Sequence, residues 1–100
     1  MYLVHMVLVA ASTREMPDRL GELISSAARP EDRLEHLSVH LSAPGRLVVG
    51  AYLLAERLEE AERRAVALCD RALSTVPELR GWRLVDAGVP LLAPFYEGLL

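Results

Sequence analysis

The residues of this chain that could do chemistry are few, and the most suggestive of them alternate. His36, Ser38 and His40 occupy every second position. In a strand that spacing puts the three side chains on one face, and the two imidazoles are expected roughly 7 Å apart, close enough for two ligands of one metal. Two neutral imidazoles on one face are the beginning of a zinc or iron site. His5 is the remaining imidazole and joins them if it shares that face, and Asp86 is the carboxylate that a last strand could add. The competing reading is structural. A strand at the edge of a sheet is kept polar to discourage pairing with other chains, and His and Ser do that well. The two-His spacing has no further ligand set behind it, so the sequence reading assigns no metal and no cofactor.

The other reactive side chain is Cys69. A nucleophilic cysteine needs a base or a positive field to form thiolate. Arg71 would help and Asp70 would oppose, while Leu68 and Ala72 flank the thiol on what reads as the middle of a helix. Cys69 is expected to be a small buried hydrophobe, and no catalytic residue is assigned. A single cysteine also excludes a Cys-x-x-Cys metal or redox motif within one chain.

Missing residue types close further chemistry. The 100 residues include no Lys, no Asn, no Gln and one Ile, Ile24. Without Lys there is no Schiff base and no P-loop lysine, and without amides there is no bidentate reading of adenine. The bias toward Arg, Ala, Gly and Pro suits a high-GC bacterial genome. Eleven Arg stand against fourteen acidic residues, a formal net charge of −3. That balance offers no basic excess for phosphate contacts, so no nucleic-acid partner is expected.

The elements that must position these residues follow from periodicity. Residues 2–11 are apolar apart from His5, and Ala10-Ala11-Ser12 could mimic a small-residue cleavage site. No positive residue precedes the run, and it is too short to span a bilayer. A buried strand is the expectation, and with it a cytoplasmic protein with no membrane partner. Ser12 to Met16 reads as a turn. Pro17 then opens a helix at its first position, with Asp18 in the first turn and Leu20, Leu23, Ile24 and Ala27 at helical spacing, ending near Ala28 before Pro30. The charged segment Arg29 to Arg33 reads as a short loop.

Leu34 to Ser42 alternates and reads as a half-buried strand. Ala43-Pro44-Gly45 is a turn signal, and Arg46 to Leu54 a second strand, so the two form a hairpin. The longest periodic segment runs from about 56 to 76. Leu58, Ala61, Ala65, Leu68, Ala72 and Val76 make one stripe, with most of the charges off it. Glu59–Arg63 and Glu60–Arg64 are i,i+4 pairs in the favourable order. The charged run from Glu56 to Arg64 reads as a solvated face. Pro77 and Gly81 end this helix, and Trp82 to Gly88 is a last short strand.

The order is β-α-β-β-α-β. Right-handed crossovers give a four-stranded antiparallel sheet in the order 4-1-3-2, with both helices on one face. This α+β arrangement resembles the ferredoxin-like α/β plait over residues 2–88, as a single domain of residues 1–89 followed by an apolar extension, 90–100. The run from Leu68 to Tyr96, with its VPELRGWRLVDAGVPLLAPFYE stretch, is similar to small actinobacterial proteins of unknown function.

Plait families differ in what they require. Metallochaperones need Cys-x-x-Cys, acylphosphatases need an Asn, and RNA-recognition motifs need central aromatics in a basic surface. None of these requirements is met. Antibiotic-biosynthesis monooxygenase-like dimers need few signature residues, and the chain's size and order resemble theirs. That resemblance implies a small dimeric enzyme or ligand-binding protein of natural-product biosynthesis, with a cavity between helices and sheet. His5, His36, Tyr52 and Trp82 would be its polar ligand contacts. A metal-binding module on His36 and His40 is a third reading.

The first reading is a non-enzymatic accessory or protein-interaction domain that forms a homodimer. It rests on apolar excess: 52% of the chain is hydrophobic, and the first strand is apolar on both faces. A monomer exposing such a patch would exceed the usual few hundred Å². Leu91, Leu92, Phe95 and Tyr96 of the terminal segment are the candidate interface residues, packing on the sheet or on a second subunit.

Overall fold

Tyr2–Val9 forms the first strand, β1, and its alternation decides where the core lies. Val4, Met6 and Leu8 are fully buried, whereas Leu3, His5, Val7 and Val9 are only half-buried. The structure, a computed structural model, describes residues 1–11 and 13–88. The expected terminal extension, with Leu91, Leu92, Phe95 and Tyr96, lies outside the described residues.

The other elements are helix α1 (Leu20–Ser26), strands β2 (Leu34–Ala43) and β3 (Arg46–Leu53), helix α2 (Leu58–Thr75) and strand β4 (Arg83–Gly88). Single 3-10 turns at Pro30–Asp32 and Pro77–Leu79 precede β2 and β4. All strand pairs are antiparallel. The sheet order is β2-β3-β1-β4, which read from the β4 edge is 4-1-3-2. The architecture is α+β, two helices and a four-stranded antiparallel open sheet, compatible with a ferredoxin-like plait.

Both helices lie on the inward face of the sheet. α1 packs on β2 and on α2, and α2 packs on β1, β3 and β4. The sheet contributes Val4, Met6, Leu8, Leu47, Val49, Ala51 and Leu53 to this layer. α2 answers with Ala61, Ala65, Leu68, Cys69 and Ala72. Three alanines on that face let the helix axis come close to the strands, and Leu68 fills the space between them. Leu58, expected on the same stripe, is only half-buried at the helix's first residue. Among the described residues no helix is long and apolar enough to cross a membrane.

Element boundaries differ from expectation in two informative places. α1 begins at Leu20 rather than Pro17, because Arg19 takes a left-handed conformation (φ 57°) that an α-helix cannot contain. Glu22, not Asp18, then supplies the acidic residue of the first turn. The segment expected as a charged loop, Arg29 to Arg33, contains the Pro30–Asp32 turn, and Asp32 within it is only 3% exposed.

The hairpin turn is Pro44-Gly45, with Gly45 at φ 73°. Pro followed by a positive-φ Gly is the sequence that a type II turn requires. Past the end of β1, Ala10 N–H donates to Gly45 C=O at 2.9 Å and ties the first strand to this turn.

Candidate functional site

Strand pairing brings the three histidines of the chain onto one surface, the sheet face that no helix covers. His5 pairs with Gly50, which pairs in turn with Ser38. One row across the face therefore reads Ser38, Gly50, His5, Gly88. The row beside it is His36, Tyr52, Leu3, and the row on the other side is His40, Val48, Val7, Asp86. Val7, Val9 and Val48 make an apolar patch, and His5 separates it from Leu3 along β1. His36, Ser38 and His40 form a polar border along β2, and Asp86 stands at the opposite edge.

Within this face the groups stay apart. His36 and His40 are not same-face neighbours, since Ser38 stands between them. Their separation is twice the same-face step, about 13 Å along the strand. One ion bound at about 2 Å from each nitrogen cannot bridge that distance. The expectation that their spacing suits a shared metal is corrected on this ground. Among the described residues no group of three or more His, Cys, Asp or Glu side chains converges to hold a metal ion.

His36 lies against Tyr52, with ring centroids 5.7 Å apart and planes tilted by 47°. Such a tilted pair is a packing arrangement. With Met1, Glu35 and Ser38 these rings line a shallow depression of about 300 Å³. His5 and Ser38 lean over Gly50 from either side. A β-carbon placed on Gly50 would meet Ser38 Oγ at 2.7 Å and His5 Cδ2 at 3.4 Å. No hydrogen bond joins Ser38 to His5 among the described residues, so the two do not form a nucleophile–base pair.

Of the four residues proposed as ligand contacts from sequence, the face brings together His5, His36 and Tyr52. Trp82 is elsewhere: it is 5% exposed and packed in the helix–sheet core. Its Nε1 has no hydrogen-bond partner among the described residues. Trp82 does not line the depression at His36 and Tyr52. A depression of about 750 Å³ runs between α1 and β2 and is lined by Gly21, Ser25, Ala28, Arg33 and Leu37 among others.

Cys69 sits on the buried face of α2 at 4% exposure. Burial pushes its thiol up to about 12, with the neighbouring Asp70 carboxylate adding to the effect. At neutral pH the sulfur is a protonated packing group.

The charged group that sequence reasoning missed is Asp32. Burial alone would raise its pKa. The Arg71 guanidinium, the Arg29 backbone N–H and the positive charges of both residues outweigh burial and hold the carboxyl below its ordinary value. Arg71 Nη1 donates to Asp32 Oδ2 at 2.7 Å and to Ala27 C=O at 2.9 Å. Arg29 N–H donates to Asp32 Oδ2 at 2.7 Å. A signal was present in the sequence. Ala67, Leu68, Ser74 and Thr75 occupy the three- and four-residue neighbours of Arg71. With no acid there, an ion pair within α2 is closed to it. Arg64, by contrast, has its local partner Glu60 and also donates to Leu54 C=O at 2.9 Å.

No protein-family model matches the chain, and no curated protein matches it.

Proposed function

We propose that the protein is a non-enzymatic interaction domain of the ferredoxin-like plait type, and that the uncovered sheet face is the surface it offers to a protein partner. One observation carries this reading. Val7, Val9 and Val48 form an apolar patch on the face that the helices leave open, with Leu3 set apart from it by His5, while the helix–sheet core is filled without them. An apolar patch bordered by His5, His40, Asp86, Arg46 and Arg83 has the anatomy of a protein interface, dry in the middle and polar at the rim. Charge supports the same reading. The centre of the face carries no formal charge, and Asp86, Arg46 and Arg83 stand at its margins.

An enzyme needs an enclosed site where polar groups converge. Here the ionisable groups are spread along strands, and the one reactive sulfur is buried. The reading of a small ligand-binding dimer has the depression at His36, Ser38 and Tyr52 in its favour. At about 300 Å³ it sits at the bottom of the ~300–1,000 Å³ range of ligand pockets.

A photo-cross-linking residue placed at Val7, in cells of the native host, tests the proposal against the same residue at Arg63 on the solvated face of α2. The expected result is a discrete protein adduct from position 7 that position 63 does not give. Equal adducts from both positions, or none from position 7, would overturn it.

A further inference from the structure

β2 is the longest strand of the sheet, ten residues, and one of its two edges has no neighbour among the described residues. Exposed edges of that length are ordinarily blunted by Lys, Pro, an inward charge or a bulge. The middle of β2 has none of these. Its irregularities fall at its ends, between Leu34 and His36 and between Leu41 and Ala43. Its one formal charge, Glu35, lies within the first irregular step, and Pro44 lies beyond the strand. The other edge strand, β4, is handled differently: it has six residues and breaks register against β1 between Val7 and Leu8.

The side chains of β2 match themselves in reverse. Turned about a two-fold axis through Val39, the strand sets Val39 opposite the partner's Val39 and Leu37 opposite the partner's Leu41. Ser38 then faces the partner's His40, and His36 the partner's Ser42. The helix-side pairs between Leu37 and Leu41 are apolar, and every pair on the open side is His with Ser. Glu35 falls opposite the partner's Ala43, so no like charges are opposed. Moving the axis to Ser38 would put Glu35 against the partner's Leu41 and lose this match. Leu41 is one of the few large apolar side chains left in water, at 47% exposure. This register covers it.

We infer that β2 pairs antiparallel with β2 of a second copy of this chain, in the register centred on Val39, giving one continuous eight-stranded sheet. An isologous two-fold contact of this kind needs a self-complementary patch, and the alternation of β2 is one. The groove between α1 and β2 lies beside the same edge. Lined by the small residues Gly21, Ser25 and Ala28 and by the charged Glu22, Arg29, Arg33 and Glu35, it leaves about 750 Å³ for side chains of the incoming strand. This contact is separate from the open-face reading. It lays two open faces side by side, doubling the surface available to a partner, and holds whether or not that face binds one.

Engineered cysteines on the full chain test the register. Opposed residues of an antiparallel pair have Cα atoms about 4.5 or 5.5 Å apart in alternation. Both distances lie within the span of a disulfide. Val39→Cys should cross-link to itself under mild oxidation, and Ser38→Cys should cross-link to His40→Cys when the two proteins are mixed. The native Cys69 is buried and does not compete. In sedimentation the wild type should run at the mass of two chains. Leu41→Lys should weaken association by at least about tenfold, with circular dichroism unchanged. A wild type that sediments as one chain at its solubility limit would overturn the inference. So would a dimer that neither cysteine arm cross-links, or one that Leu41→Lys leaves equally tight.

Discussion

Arg71 on α2 and Asp32 in the turn before β2 are joined by two hydrogen bonds, at 2.7 and 3.3 Å, across 39 positions of sequence. The same guanidinium donates to the Ala27 carbonyl just past the end of α1. One side chain thereby fixes the end of α1, the turn that follows it and the start of β2 against the long helix. Asp32 is the one buried polar or charged residue among those described. Its burial is tolerated because both carboxylate oxygens are engaged and the Arg29 N–H adds a further bond.

Removing that carboxylate leaves a guanidinium and a backbone N–H without their acceptor. Asp32→Ala is expected to cost on the order of 1–3 kcal/mol in chemical denaturation at neutral pH. The pH dependence has a definite sign. The folded-state value lies below the ordinary 3.8, so the unfolded chain binds the proton more readily. The contribution is fully present above the ordinary aspartate range and is lost as pH falls through the depressed value. The gap between wild type and Asp32→Ala should therefore be widest near neutrality and shrink below pH 3.8. A gap that stays constant into acid would show that the carboxylate charge is not what stabilises the turn.

Leu68 is fully buried among alanines of its own helix. Small neighbours cannot move in to fill the space it leaves. Leu68→Ala should lower unfolding stability by about 2–5 kcal/mol, the range for a cavity that does not collapse. Urea titration followed by Trp82 fluorescence reads this directly, since Trp82 is the single tryptophan and is 5% exposed. A loss of less than about 0.5 kcal/mol, the size of an ordinary surface change, would mean that the stripe is not the core.

Cys69 should be inert to thiol reagents in the folded protein, because its thiol, pushed up to about 12, stays protonated and has 4% exposure. Native protein treated with an aromatic disulfide reagent near pH 8 should react only as fast as it unfolds. Rapid stoichiometric labelling without denaturant would contradict the buried placement.

The elements were legible because their periods are strong. Tyr2–Val9 is apolar apart from His5, His36 to Ser42 alternates without a break, and the α2 stripe repeats over five turns. What escaped was contact between elements. Nothing local in Pro30-Glu31-Asp32 announces that its aspartate meets an arginine on another helix, although the missing local acid around Arg71 hinted at it. Trp82 read as a possible ligand contact because a strand gives no sign, from its own residues, of which end lies under a helix. The place of His5 needed the β1–β3 register. Period two assigns side chains to faces but leaves the pairing of two apolar strands free to slide.

That register gives the last prediction, at Gly50. The residue sits mid-strand, where glycine costs conformational entropy and packs nothing, so its presence calls for a reason. The reason is the close approach of its neighbours. A β-carbon there would lie 2.7 Å from Ser38 Oγ, 3.3 Å from Leu3 Cδ1 and 3.4 Å from His5 Cδ2. Ser38 can rotate its hydroxyl away, but Leu3 and His5 must give on the other side. Gly50→Ala is expected to destabilise by about 1–3 kcal/mol, as overpacking does. Combining it with Ser38→Gly removes the nearest atom, so the double variant should be more stable than the two single losses added together. The expected coupling is of order 0.5 kcal/mol or more, since the residues touch. Denaturant melts of the four proteins in the cycle measure it. Strict additivity would mean that Ser38 and Gly50 do not meet, and the pairing of β2 with β3 would then have to be redrawn.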